Sequence, residues 1–321
     1  MNKYEKQVNK LILEHEEKML KNLESAYSRA LEDVKVTIQD LRQSIKELEV
    51  TNAEQSLINS KIYQLEYQEL LETQINVSLG LLSQRNITTI TKFLQSVYDD
   101  SFLGDVFILQ KFYKIPVYTP INAKLLVKAI KTKTAGLKFS ERLYADIDSL
   151  KSHVIAEISR GIAQGNSYAE IARNVSQIAE ISFNNAYRIA RTEGGRISTQ
   201  AQLDSMRASI DEGADLLKRW DATLDTRTRQ THLELDGQVV EYNEYFKSDV
   251  GEVFAPHQFG IAGQDINCRC RLSSIPRWDL DDKSSTRKDN LTGEIIPYKT
   301  YQNWKKEYLK IPKIHHKKVG D

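Results

Sequence analysis

The chain has 321 residues, enough for one large domain or for two to three domains of ordinary size. Its 45 basic and 44 acidic side chains give a net charge of +1, which excludes the strongly basic surface of a protein that coats nucleic acid. Two cysteines are too few for a disulfide framework. Since the sequence shows neither a long apolar run nor a signal segment, we expect a protein made in a reducing cytoplasm without a membrane span.

Residues 1–150 are predicted to form a helical arm. Three of the 14 glycines fall in this part, and apolar residues step by four and three along a heptad seam. Such a seam is typical both of an intramolecular helical hairpin and of a coiled coil between chains, and the sequence leaves both open. A second helix is predicted from about residue 53 to residue 82. The seam consists of Tyr27, Leu31, Val34, Ile38, Leu41, Ile45 and Leu48.

The middle of the chain becomes rich in aromatic and β-branched residues and then returns to a helical pattern. Aromatic and β-branched residues from Phe102 to Pro120 predict a packed irregular connector, or equally an exposed contact surface. Helices are predicted from about Ile121 to Ile210. Ser167 and Glu170 have the spacing of a capping box, which marks a helix start. The adjacent glycines 194–195 inside a helix suggest a close approach to this backbone, or a bend.

After Gly213 the pattern becomes one of short strands and turns. Asp225 is predicted to cap a short helix that runs through His232, and Asp236–Gly237 is predicted to form a turn between short extended pieces. The fold class is therefore mainly α, with a long helical N-terminal region followed by a small α+β C-terminal module. The predicted parts are the arm (1–150), a helical part (151–212), the α+β module (213–275) and a polar, partly basic tail (276–321).

Four side chains in this module have the chemistry of zinc ligands: His232, His257, Cys268 and Cys270. A Cys-x-Cys pair in an extended segment points both thiolates to one face. The other interpretation is a reduced, buried cysteine pair with structural histidines, and the sequence leaves both open. A disulfide between positions i and i+2 is geometrically poor.

The same stretch is predicted to be held by ion pairs. Two arginines lie close in sequence to three aspartates, and guanidinium–carboxylate bonds can satisfy such a set. Trp220 supplies a large apolar anchor for it. The charged residues are Arg227, Arg229, Asp221, Asp225 and Asp236.

No catalytic residue is assigned. His232 and its neighbouring carboxylates could imitate an acid/base cluster, but the sequence contains no nucleophile elbow, HExxH motif, phosphate-binding loop or dinucleotide fingerprint. Arg191 and Glu193 do not share a helix face, so each is expected to pair elsewhere. We therefore expect a protein that is not an enzyme.

These residues resemble the phage Mu F-type head-morphogenesis family, the minor capsid proteins of tailed bacteriophages. The resemblance covers about residues 150 to 275. The order and spacing of the matching motifs are more specific than any single motif. Upstream, the helical residues 158–165 with the capping box and residues 189–193 also resemble that family. The main matches are Trp220, the residues from Asp225 to Arg229, His232, Asp236, Gly237 and the closing Asn267-Cys268-Arg269-Cys270.

The resemblance implies a structural virion protein that docks at the portal and assists head assembly or the packaging and delivery of DNA. Its implied partners are the portal protein and a major capsid or scaffolding protein, with DNA contact secondary and no membrane. Assembly is expected in the bacterial host cytoplasm. Some relatives carry a toxin domain after this module, and the segment that follows here is expected to be too short for one. The alternative is a virion-carried effector or nucleic-acid-processing enzyme that uses the region of His232, Cys268 and Cys270.

Overall fold

The computed structural model describes residues 3–51, 57–280, 286–288 and 295–297. It confirms the predicted class, mainly α with a small α+β module. No helix in these ranges is both long and apolar enough to cross a membrane. The first five helices are α1 (Lys3–Thr51), α2 (Leu57–Lys111), α3 (Ala123–Lys131), α4 (Phe139–Ala163) and α5 (Tyr168–Asp211).

The strands all follow α5. A three-stranded antiparallel sheet has the order β2-β1-β5, and β3–β4 and β6–β7 form two-stranded pairs. Most of the predicted tail lies outside the described residues. The elements are β1 (Leu216–Asp221), α6 (Gln230–Leu235), β2 (Val239–Glu241), β3 (Phe246–Ser248), β4 (Gly251–Val253), α7 (Ala262–Asp265), β5 (Arg271–Pro276), β6 (Thr286–Lys288) and β7 (Ile295–Pro297).

The chain divides into two compact units, each assembled from several stretches. The first unit contains Met1–Leu11, Tyr98–Ala129 and Gly195–Asp321, and the second contains Ile12–Val97 and Ile130–Gly194. The predicted boundary near residue 150 falls inside the second unit. Residues 1–150 therefore contribute helices to both units.

The heptad seam is buried within the second unit. Tyr27, Val34, Ile38 and Leu41 are each at most 6% exposed. The Tyr27 ring packs edge-on against Phe183 with centroids 5.6 Å apart. The described part of the seam therefore packs within one chain, as in the hairpin alternative, whereas the side chains of residues 45 and 48 lie outside the described ones.

The prediction of an irregular connector from Phe102 to Pro120 is wrong over its first part, because α2 continues to Lys111. Phe102, Val106 and Leu109 recur at helical spacing and are all buried, so their apolar character reflects a helix face. Gly104 does not stop this helix. It admits Val8, whose Cγ1 would lie 2.5 Å from a Cβ at that position.

The capping box at the start of α5 is confirmed. The Glu170 amide donates to the Ser167 hydroxyl oxygen at 3.2 Å, and the Ser167 amide donates to the Glu170 carboxylate at 2.8 Å. Gly165 precedes the box with φ +70°, a conformation that glycine adopts without a steric penalty. The sequence signal therefore placed this helix start correctly.

The close approach predicted at the two adjacent glycines of α5 is confirmed for both. A Cβ at Gly194 would lie 2.9 Å from the Phe93 ring, which belongs to the second unit as Gly194 does. A Cβ at Gly195 would lie 2.4 Å from Cε1 of His257, and both of these residues belong to the first unit. Each glycine therefore leaves space for a ring.

Asp225 does not cap α6, which begins five positions later at Gln230. Its carboxylate accepts a hydrogen bond from the Arg227 amide at 2.9 Å and so closes a local turn. The piece before the turn at Asp236–Gly237 is helical and not extended as predicted, since Leu233 and Leu235 lie in α6. The prediction from local capping chemistry was right that Asp225 binds a nearby backbone amide, and wrong about where the helix begins.

Asp105 of α2 is buried and accepts hydrogen bonds from Ser205 at 3.0 Å and Ser274 at 3.1 Å. These three residues link α2, α5 and β5 inside the first unit. Burial raises the pKa of Asp105 to about 6, although the two hydroxyl donors act in the opposite direction. The folded chain therefore binds this proton more tightly than the unfolded chain does.

We predict that Asp105→Asn changes the pH dependence of stability. A raised folded-state pKa makes the wild-type carboxyl destabilising as pH rises from about 4 to about 6, and the cost is complete above that window. The melting temperature of the variant relative to wild type should therefore be higher at neutral pH than near pH ~4. Asp148→Asn, at a side chain 73% exposed, is the matched control. A relative melting temperature of Asp105→Asn that is the same at both pH values would contradict the assignment.

Candidate functional site: a buried histidine–cysteine cluster

His232 is held in one orientation by its neighbours. Its ring stacks on Phe259, with centroids 5.4 Å apart and planes 10° apart, and meets Trp220 edge-on at 6.0 Å. Nε2 lies 3.0 Å from Oε1 of Gln264. Because an amide oxygen only accepts hydrogen bonds, this contact places the hydrogen on Nε2 and leaves Nδ1 with a free lone pair.

Cys268 and Cys270 bring their sulfurs to that same Nδ1. The Sγ–Nδ1 distances are 3.6 Å for Cys268 and 3.3 Å for Cys270. The three ligand atoms lie within 4.8 Å of one another, and the three side chains are between 2% and 6% exposed. The structure thus assembles three of the four predicted metal ligands.

The two thiols of the cluster differ in acidity. A hydrogen bond from Cys270 holds the pKa of Cys268 well below its usual value, helped by His257 and His232. Burial raises the pKa of Cys270 well above its usual value, and the nearby Cys268 raises it further. Cys268 is therefore the more acidic member of a coupled pair.

His257 lies beside Cys268 but outside the group of three whose ligand atoms are mutually close. It is 3% exposed, and neither ring nitrogen makes a hydrogen bond of good geometry among the described residues, although the Cys268 thiol is close enough to interact with the ring. Its backbone is left-handed, with φ +66°. Burial acts to lower its pKa, but the charges of Cys268 and Asp265 outweigh burial and raise it.

Asp225 has Arg269 as its main partner, a residue that the ion-pair prediction did not include. Two guanidinium nitrogens of Arg269 approach the two carboxylate oxygens at 2.5 and 2.6 Å, which is a bidentate pair. Arg227 stays peripheral, at 3.8 Å and with its side chain 79% exposed. The hydrogen bonds from Arg269, together with the one from the Arg227 amide, hold the pKa of Asp225 below its usual value, although burial acts in the opposite direction. Arg229 donates instead to the Ile266 carbonyl at 2.7 Å.

The other two aspartates of the predicted set have separate partners. Asp221 pairs with Arg219 at 2.9 Å. Asp236 accepts a hydrogen bond from the Ala222 amide at 2.8 Å. The predicted turn at Asp236–Gly237 is confirmed, since Gly237 has φ +78° and its amide donates to the Trp220 carbonyl at 2.8 Å. This turn fastens the end of α6 to β1.

Arg191 and Glu193 belong to the second unit. Arg191 pairs with Glu16 at 3.1 Å, and Glu193, whose side chain is fully buried, pairs with Arg142 at 3.2 Å. The prediction that these two helical residues pair separately is confirmed. Their contacts fix α5 to α1 and α4 within that unit.

Sequence reasoning included Arg269 in the resemblance but assigned it no partner, and it missed Gln264 and Phe259. A signal existed for Arg269, because side chains alternate in an extended segment and a residue between two cysteines faces away from both. The Arg269 side chain therefore pairs with a carboxylate on the other side of the segment, and that carboxylate belongs to Asp225. No pattern marked Gln264 or Phe259, since their roles depend on the path of the loop before β5.

We predict that Arg269→Ala destabilises the folded chain by about 1–3 kcal/mol, because it leaves a mostly buried carboxylate without its bidentate donor. Arg227→Ala, in the same cluster but largely exposed, should change the free energy of unfolding by less than about 0.5 kcal/mol. Urea unfolding of the full chain measures both. Equal shifts for the two variants would contradict the assigned roles.

Comparisons with known proteins place this site inside a shared region. The family described as "Phage Mu protein F like protein" matches residues 152–273, close to the 150–275 span of the resemblance. A protein of Enterococcus faecalis named NAD(+)--arginine ADP-ribosyltransferase EFV is 31% identical over 307 residues, which are 95% of this chain and 60% of that protein. The chain thus spans less than two thirds of that relative.

A second relative is similar over nearly its whole length. The minor head protein GP7 of Bacillus phage SPP1 is 24% identical over 294 residues, covering 89% of this chain and 92% of that protein. No solved structure matches the chain significantly. The family match begins within α4, reaches β5 and includes every residue of the cluster, which confirms the resemblance of this region to phage Mu F-like head-morphogenesis proteins.

Proposed function

We propose that the chain is a minor head protein, a structural component of the phage head that docks at the portal vertex and assists head assembly or DNA delivery. The observation that carries this proposal is the combination of the family match over residues 152–273 with a relative named as a minor head protein along 89% of the chain. Assembly in the host cytoplasm and location in the finished virion are part of the proposal. The portal protein is the main partner, with a major capsid or scaffolding protein as a further one.

An exposed apolar stripe on α2 is a suitable contact surface for such a partner. Leu70, Val77 and Leu81 are 47%, 61% and 45% exposed, and their spacing of seven and four places them on one helix face. Buried residues such as Ile75 occupy another face of the same helix. Apolar side chains aligned in this way favour association with a protein surface.

The charge of the chain supports retention by protein contacts. With 45 basic and 44 acidic side chains, it has no excess charge for holding DNA. Binding through phosphates releases counterions, so it weakens roughly as the 0.9 power of salt concentration for each phosphate neutralised. Contacts between apolar surfaces do not have this dependence.

Our first prediction for the function concerns salt. Purified heads, with and without DNA, are washed across a range of salt concentrations, and the chain that remains is quantified by mass spectrometry. We expect the chain to stay with both kinds of head throughout. Its absence from heads, or a steep loss with salt only from DNA-filled heads, would contradict docking on protein.

Our second prediction concerns the stripe. Replacing Leu70, Val77 and Leu81 together by lysine should abolish incorporation into heads and co-purification with the portal protein. The three positions are largely exposed, so the helical circular dichroism and melting temperature should change little. Thr73→Glu with Gln84→Glu, at exposed positions of the same helix, is the matched control and should be incorporated normally. Normal incorporation of the lysine variant would exclude the stripe as the docking surface.

The second candidate function is a virion-carried effector enzyme. The observation that favours it is the 31% identity with a protein named as an arginine ADP-ribosyltransferase. Against it, His232, Cys268 and Cys270 are at most 6% exposed, so a substrate cannot reach them without unfolding of the module. Incubation of the purified chain with labelled NAD and host protein discriminates the two. Transfer of label to arginine would favour the enzyme, whereas we expect no transfer.

A further inference from the structure

We propose that His232, Cys268 and Cys270 bind a zinc ion that fixes the α+β module, with His257 as the fourth ligand. The inference is independent of portal docking. It starts from ligand type, because two cysteines and two histidines are a common donor set of structural, tetrahedral zinc sites. All four side chains are at most 6% exposed, as befits a structural ion.

The distances within the group of three fit one ion. Tetrahedral zinc with bonds of about 2.3 Å to sulfur and 2.0–2.1 Å to nitrogen places sulfur and nitrogen ligands about 3.5 Å apart. The two Sγ–Nδ1 distances here are 3.6 and 3.3 Å. Both sulfurs therefore already stand at the separation from Nδ1 that a shared metal requires.

Gln264 prepares His232 for this role. Metal-bound histidines usually donate their second ring N–H to an oxygen, which fixes the ring and its tautomer. The contact of 3.0 Å between Nε2 and Oε1 of Gln264 supplies that oxygen. Phe259 stacks on the ring and Trp220 meets its edge, so Nδ1 stays directed at the two sulfurs.

His257 is costly to the fold unless it has a partner. In the described structure neither nitrogen of this buried imidazole makes a hydrogen bond of good geometry, so its contact with Cys268 compensates the lost hydration only in part. Its left-handed backbone, with φ +66°, adds strain. The ring lies beside Cys268 and over Gly195, where any Cβ would collide with it. A bond to zinc would satisfy one nitrogen and account for this placement.

Zinc suits the cluster better than a bare thiol pair does. Two thiolates neutralise Zn²⁺, so the charge of the complete site is compatible with burial. The ion would link three segments that are far apart in sequence and meet in the core of the module: α6, the loop that carries His257, and the residues that lead into β5. In small modules such a link contributes directly to folding.

The test uses the full chain, purified without a histidine tag from zinc-supplemented culture. Elemental analysis should find one zinc per chain. After removal of the metal, Co²⁺ should bind and give the absorption of a tetrahedral site together with thiolate-to-cobalt charge transfer. The cobalt spectrum of the wild type requires no variant, so a folding defect in a variant cannot obscure it.

Four variants assign the ligands. Cys268→Ser and Cys270→Ser should lose the metal and the charge-transfer band, and His257→Gln should bind zinc more weakly. Gln264→Leu, which leaves the ligands intact, should lower zinc affinity about 10- to 100-fold with unchanged helical circular dichroism. His153→Gln, at an exposed histidine of α4, is the control and should retain full affinity.

The zinc site would be excluded if the wild type contained no more zinc than Cys268→Ser does. It would also be excluded if the cobalt spectrum showed no thiolate charge transfer, and a packed cysteine pair would then remain. Full affinity of His257→Gln would overturn the assignment of the fourth ligand. Because none of these readouts involves heads or the portal, failure here is distinguishable from failure of the proposed function.

Discussion

The α+β module depends on three consecutive residues, Cys268 to Cys270, whose side chains alternate between two partners. The sulfurs of Cys268 and Cys270 converge on Nδ1 of His232, and the intervening Arg269 forms a bidentate pair with Asp225. One extended segment thereby fixes α6 on one side and the Asp225 turn on the other. Its position follows from β5, which begins at the next residue and pairs with β1 along its whole length.

The cluster and the sheet support each other. Trp220 of β1 is fully buried, lies opposite Leu272 of β5 and packs against the ring of His232. Disturbing the segment at Cys268 to Cys270 would therefore disturb the aromatic core as well as the polar contacts.

The sequence was sufficient to predict the features of the structure that depend on the chemistry of neighbouring residues. Side-chain types and spacing identified His232, Cys268 and Cys270 as a group, and the capping box at Ser167 and the close approach at Gly195 were predicted from backbone requirements. These features need only a few neighbouring residues to specify them. They are the features that short-range physical rules describe.

The parts that were missed depend on long-range packing. The helical spacing of the buried residues after Phe102 is obscured in the sequence, because Leu103, Phe107 and Ile108 between them are apolar too. The choice of Arg269 over Arg227 as the partner of Asp225 depends on where β5 places the chain, 44 positions away in sequence. The division into two units is likewise invisible locally, since α1, α2 and α5 each contribute to both.

We propose that this chain is a structural head protein seated at the portal. Cryo-electron microscopy of phage heads, reconstructed without imposed icosahedral symmetry, tests it most directly. We expect density for the chain at the single vertex that holds the portal, and loss of that density in heads assembled without the chain. Density at every vertex, or none in any head, would contradict it.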